Sequence, residues 1–299
     1  MGKSKQAVDY FVVDAFTDSP FKGNPAAVCL LEDERDDAWL QSLATEFNIS
    51  ITCYLTRLLP ATSPNPKFRL RWFTPVAEFN LCGHATLAAS HTLFANGFVE
   101  SDTIEFETMS GILTARRVVA AAAGEANKDS FLIELNFPRV PITEFNDYVT
   151  AAADGDIATI SKAFNGAPIV DMRRTTTAED LFLVLPSGEA VLELEPNFDE
   201  ISKCPGRGII VSGAAPSGSG FDFYSRYFCP KYGINEDPVC GSAHCALAPY
   251  WSKILGKSDF LAYAASRRSG VLNVRLDEVN ERVMLRGNAV TVMKGSVLV

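Results

Sequence analysis

The chain opens on an apolar, β-branched run at residues 8–16 (VDYFVVDAF), which predicts a strand. A turn-rich piece at residues 17–25 (TDSPFKGNP) leads to a second strand ending at Leu31. The period then lengthens: Trp39, Leu40, Leu43 and Phe47 fall on one face of a helix predicted over residues 33–48. Strands follow at about 52–57 and 68–73. The Ala- and Leu-rich stretch 85–96 reads as a helix stopped by Gly97. Three further strands are predicted at 103–108, 112–119 and 131–137. Between the last two, residues 120–130 turn small and polar, a candidate hinge or a hairpin loop.

The second half returns to the same theme. A helix pattern covers about 150–164, strands come near Ile169, at 181–185 and at 208–212, and the Gly-rich piece 213–220 reads as a flexible loop. A strand at 221–228, an Ala- and Leu-rich helix running to about Ile254 and three closing strands complete the chain. Many strands with one prominent helix per half predict an α+β protein. Phe73-Thr74-Pro75 precedes Cys82-Gly83-His84, and Phe228-Cys229-Pro230 precedes Cys240-Gly241-Ser242, about half the chain later. In each case the Cys-Gly pair is expected to open a helix.

Composition narrows the class. With 299 residues, 47% hydrophobic, the chain can form one large domain or two lobes. A net charge of −9 argues against a nucleic-acid partner. No stretch approaches the roughly 20 apolar residues of a membrane span, and residues 1–10 lack the apolar core of a secretory signal. The expectation is a cytoplasmic protein, with a homodimer left open. Its seven cysteines, an odd number without CxxC spacing, read as reduced thiols with no structural zinc and no metal.

Cys82 and Cys240 carry the candidate chemistry. A thiol at a helix N-terminus is expected to have a lowered pKa. The glycine that follows lets backbone amides approach a carboxylate. If the two halves face each other, one thiol could take a proton from a substrate carbon while the other gives one to the opposite face. The competing reading makes both cysteines buried packing groups. His84 and Ser242 hold matching places beside the two nests, at Gly83 and Gly241. His91 and His244 read as helix or packing residues. Asp237 is either an acid/base group or a turn residue before Pro238. Glu78 stands in the matching stretch, with less specificity. Asn24, in the turn Phe21-Lys22-Gly23-Asn24-Pro25, is a candidate to reach the site. No phosphate loop, dinucleotide fingerprint, HExxH or GxSxG is present, so no cofactor is expected.

The stretches DAFTDSPFKGNPAAV from Asp14, TEFNIS from Thr45, FTPVAEFNLCGHATLAA from Phe73 and SRYFCPKYGINEDPVCGSAHCALAPYW from Ser225 resemble the phenazine-biosynthesis-like (PhzF-like) isomerase family. The resemblance implies two similar lobes, each a curved or barrel-like, mostly antiparallel sheet around a central helix, with the active site between them, as in diaminopimelate epimerase and proline racemase. The lobes are expected at residues 1–125 and 126–299, with the last strand open to return to the first. Phenazine-type members carry a Ser-Glu-Thr motif whose Glu shuttles the proton. Here Asn48-Ile49-Ser50-Ile51-Thr52 puts Ile51 in that place.

The second motif often has Thr where this chain has Cys240. Cys82 and Cys240 together are similar to the paired Cys-Gly motifs of the racemases. The expected function is therefore a cofactor-independent racemase or epimerase acting on the α-carbon of an amino acid or similar small carboxylate. Cys82 and Cys240 are its bases, and Asn24, Ser50, Gly83, His84, Asp237, Gly241 and Ser242 bind the substrate. Two alternatives stand beside it: an isomerase using Asp237 and His84 on a small ring acid, and a binding protein that lost catalysis with the Glu.

Overall fold

A computed structural model describes residues 7–58, 65–119, 131–145, 153–177 and 179–298. The candidate hinge at 120–130 lies outside the described residues. The chain divides into two compact units, Met1–Asn136 with Arg286–Val299, and Phe137–Leu285.

The first elements are β1 (Ala7–Ala15), β2 (Asn24–Leu31), α1 (Asp37–Phe47), β3 (Ile51–Arg57), β4 (Lys67–Phe73) and β5 (Glu78–Phe79). Next come α2 (Gly83–Ala95), β6 (Thr103–Thr108), β7 (Gly111–Val119), β8 (Phe131–Pro138), β9 (Ile142–Glu144), α3 (Ala153–Ala163), β10 (Asp171–Thr175) and β11 (Leu181–Val184). They are followed by α4 (Gly188–Leu192), α5 (Phe198–Ile201), β12 (Ile209–Ala214), β13 (Phe223–Cys229) and β14 (Ile234–Asp237). The chain closes with α6 (His244–Leu255), β15 (Asp259–Ala264), β16 (Gly270–Asp277), β17 (Arg282–Gly287) and β18 (Ala289–Leu298). Strands dominate and helices are few, an α+β fold.

Each unit repeats one connectivity. In the first, β1 pairs antiparallel with β2, β2 parallel with β3 and β3 antiparallel with β4. There β4 forms a hairpin with β5 and then runs parallel to β6, which pairs antiparallel with β7. In the second, β10 to β16 do the same in the same order, with β14 as the hairpin strand. The hairpins are clamped alike. Arg71 of β4 grips Glu78 through two bonds of 2.7 Å, and Arg226 of β13 grips Glu236 at 2.7 and 3.0 Å. The Cys-Gly motif follows that hairpin in both units, so the sequence echo is a repeat of topology.

All of α2 except His91 and Ala95 is buried, and it packs against β1, β2, β3, β7 and β18. A helix buried on every side needs apolar or small residues all round, which is why GHATLAASHTLFA shows no polar face. The helix α6 carries Pro249 in its interior. Proline removes the amide that would reach the Cys245 carbonyl one turn earlier, and the Val140 amide bonds that carbonyl instead at 3.0 Å.

Several expectations change. The first helix begins at Asp37 rather than residue 33, because Asp36 caps it by accepting from the Trp39 amide at 2.9 Å. The described part of the helix expected from about 150 begins at Ala153. Gly213 belongs to β12, not a flexible loop, and a Cβ there would sit 2.4 Å from the Ser187 carbonyl oxygen. Four strands, rather than three, close the chain.

Candidate active site

In the first unit the site residues gather around the start of α2. Asn24 and Pro25 begin β2, and Ile51 begins β3 beside Ala26 in parallel register. Ser50 donates its hydroxyl to the Pro25 carbonyl at 2.9 Å. Asn24 and Ile51 are both buried. Cys82 is the N-cap of α2 but makes no side-chain cap bond. Its Sγ lies 3.5 Å from His84 Nδ1, a thiol and an imidazole two residues apart.

Burial holds the His84 ring down to about 3, against a smaller upward pull from the Pro25 carbonyl. It is therefore a neutral imidazole at pH 7, able to share a proton with the thiol but not to act as a cation. Gly83 supplies the first amide of α2, which has no acceptor within the helix. Beneath the site, Cys53 donates to the Ala27 and Ala85 carbonyls, and burial pushes its thiol well above the usual range.

In the second unit, Asp237 ends β14 and accepts from the Val239 amide at 3.3 Å, so the turn role foreseen for it is present. Cys240 Sγ lies 3.4 Å from Ser242 Oγ. The same offset of two thus pairs a thiol with a polar side chain in each half. The two helix starts nevertheless differ. Residues 241–243 form a tight turn, with the His244 amide bonding the Gly241 carbonyl at 3.1 Å, and α6 begins only at His244. Cys240 therefore does not cap a helix.

The lowered pKa expected for this thiol is overturned as well. Burial, then the nearby Asp237 carboxylate, push Cys240 well above the usual thiol range, against weaker downward pulls from Ser242, the Ala243 amide and Arg207. The desolvation of a buried thiolate exceeds what one turn of amides returns.

Residues absent from the sequence reading lie near Cys240 in the second unit. Arg207 binds Asp180 through Nε at 3.0 Å and Nη2 at 2.6 Å, and Tyr227 donates to the same carboxylate at 2.9 Å. Tyr227 stands opposite Asp237 in the β13–β14 register, which ties this buried network to the site. The Gly206-Arg207-Gly208 run was the available signal. His244, read from sequence as a helix or packing residue, does begin α6 and is buried beside Phe223, and it also holds Cys240. Its Nδ1 lies 2.8 Å from the Cys240 carbonyl oxygen, and Ser225 Oγ lies 3.4 Å from its Nε2. His91 does pack, stacking on Phe131 at 5.8 Å.

Among the described residues, no group of three or more His, Cys, Asp or Glu side chains converges as a metal site. No helix there is long and apolar enough to cross a membrane.

Comparisons with known proteins show the family and the fold. A family model described as phenazine biosynthesis-like protein matches residues 13–295. A protein of Halalkalibacterium halodurans named as an uncharacterized isomerase is 42% identical over 289 residues, spanning 96% of this chain and 97% of its own. The crystal structure of a PhzF-family phenazine biosynthesis protein from Enterococcus faecalis superposes with a TM-score of 0.80 at 34% identity, covering 98% of this chain and all of that one. A hydroxyproline epimerase from Agrobacterium vitis, solved with bound trans-4-hydroxy-L-proline, shares the fold at a TM-score of 0.61 and 12% identity, covering 99% of this chain and 92% of its own.

Proposed function

This chain belongs to the phenazine biosynthesis-like protein family, and from that premise we propose a cofactor-independent racemase or epimerase that inverts the α-carbon of a small amino acid or related carboxylate, with Cys82 and Cys240 as its two acid–base groups. One observation carries the reading. Each half places a cysteine after the clamped hairpin and before its core helix, paired at an offset of two with a polar side chain, His84 at 3.5 Å and Ser242 at 3.4 Å. A buried cysteine kept only for packing needs neither partner.

The thiols take opposite resting roles. Cys240, held protonated by burial and by Asp237, is the acid. Cys82, beside the neutral His84 ring, is the base. The Cys82 thiolate takes the α-proton, and the electron pair left on carbon spreads into the substrate carboxylate. The Cys240 thiol then gives its proton to the opposite face. The carbon is inverted and the thiols have exchanged protonation states, so the next turnover runs from the other enantiomer. The amides of Gly83, His84, Gly241 and Ser242 hold the carboxylate and stabilise its growing charge. Asn24 and Ser50 line the first half of the site. Ile51, buried where phenazine-type members carry a Glu, keeps that side apolar and favours an aliphatic substrate.

The test is α-proton exchange in deuterated water over a panel of amino acids. Turnover should place solvent deuterium in the inverted product, and Cys82→Ser or Cys240→Ser should abolish inversion. A second reading rests on the influence of Asp237 at Cys240: an isomerase in which Asp237 and His84 move the proton on a small ring acid. Full activity of the double cysteine variant, lost in Asp237→Asn, would select it.

A further inference from the structure

We propose that Thr86 and His244 are positioning residues that aim the Gly83 and Gly241 amides, each by clamping the carbonyl of the cysteine four positions earlier. The proposal rests on the reading that these amides receive the substrate carboxylate.

In each unit the residue four after the cysteine places a side-chain donor on the cysteine's carbonyl. Thr86 Oγ1 donates to the Cys82 oxygen at 2.6 Å. His244 Nδ1 lies 2.8 Å from the Cys240 oxygen. A trans peptide is planar, and its C=O and N–H point in opposite directions. Fixing the Cys240 carbonyl toward α6 therefore turns the Gly241 amide away from that helix. The same bond in the first unit does this for Gly83.

The two clamps differ in how much they carry. The Cys82 carbonyl also accepts the Thr86 amide at 3.2 Å, as in any α-helix. After Cys240 the tight turn takes the His244 amide to the Gly241 carbonyl, and the imidazole takes the place of the main-chain donor. His244 is built for this role. A carbonyl only accepts, so Nδ1 carries the proton and Nε2 receives the Ser225 hydroxyl at 3.4 Å. The ring is buried beside Phe223, with centroids 5.9 Å apart. Burial also keeps it neutral, down to about 4, so it retains a single N–H and a single tautomer.

The test compares alkylation of Cys240 by iodoacetate, which carries a carboxylate, with alkylation by neutral iodoacetamide, both read by mass spectrometry of the Cys240 peptide. His244→Asn keeps a donor near the Nδ1 position, whereas His244→Gln moves it and His244→Phe removes it. The iodoacetate-to-iodoacetamide ratio should hold in His244→Asn and fall about tenfold in the other two, the worth of one charge-assisted hydrogen bond. An unchanged ratio in Gln and Phe variants that fold would overturn the proposal, as would an equal fall in all three.

Nitrogen-15 NMR of the His244 ring gives an answer that needs no reactivity. A protonated Nδ1 supports the clamp, and a protonated Nε2 removes it. A wild-type Cys240 that resists both reagents even in alkali would count against the two-thiol reading alone, and the ring tautomer would still decide this one.

Discussion

Tyr227 donates its hydroxyl to Asp180 across 2.9 Å, and both residues are buried. The carboxylate is shared with Arg207, so a phenol, a guanidinium and an acid form one network along the strand that faces Asp237. Tyr227→Phe removes one neutral donor to a charged acceptor and should cost about 1–2 kcal/mol in denaturant unfolding. Asp180→Ala leaves Arg207 without its partner and should cost about 3 kcal/mol or more. A smaller loss for Asp180→Ala than for Tyr227→Phe would contradict this ranking.

The same network limits Gly208. A Cβ there would lie 2.5 Å from Tyr227 Oη and 2.9 Å from the Phe228 carbonyl oxygen. Gly208→Ala should therefore destabilise by about 1–3 kcal/mol through overpacking. In the double variant with Tyr227→Phe, part of that loss should return, because the nearest colliding atom is gone. Thermal melts of the two variants and their combination measure this coupling, and strict additivity would remove it.

Acid should weaken the fold through its histidines. His244 and His91 are held down to about 4 by burial, and His84 to about 3, against an ordinary value of 6.5. The unfolded chain binds protons first as pH falls, so the neutral rings contribute full stability above about pH 6.5 and lose it toward pH 4. For His244 the span amounts to about 3 kcal/mol. Unfolding free energy measured from pH 7 to pH 4 should fall, and less steeply in His91→Phe. An identical slope in that variant would show that His91 takes no part.

Asp237 raises the Cys240 thiol, so Asp237→Asn should lower it and increase the thiolate fraction. At about pH 8, alkylation of Cys240 by iodoacetamide should speed up several-fold in this variant. A slower reaction would mean that Asp237 acts on Cys240 in some other way.

Much of this was legible in the sequence where the signal is local. The helix face of Leu40 and Leu43, the Gly97 stop after α2 and the Cys-Gly echo all depend on residues a few positions apart. The short strands β5, β9 and β14 were not, because two to four residues hold too few alternations to show a period. Nor could Asp180, Arg207 and Tyr227 be joined, since their contacts span up to 47 positions and appear only once β11, β12 and β13 lie side by side.

His244 is a different case. Its reading as a helix or packing residue holds, since it begins α6 and lies buried beside Phe223. Its spacing of four from Cys240 did not reveal the bond to the Cys240 carbonyl, which depends on the tight turn before the helix. For Cys240 the helix-dipole argument gave the wrong sign, because burial depth is a tertiary property.

The central claim is that two thiols work on opposite faces of one carbon. It is tested most directly by following deuterium wash-in separately from the L and D forms of a substrate found in the amino-acid panel. With Cys240→Ser, Cys82 remains as the single base and should exchange the α-proton of one enantiomer with retention. With Cys82→Ser, only the other enantiomer should exchange. Exchange of the same enantiomer in both variants, or inversion surviving in either, would contradict the account.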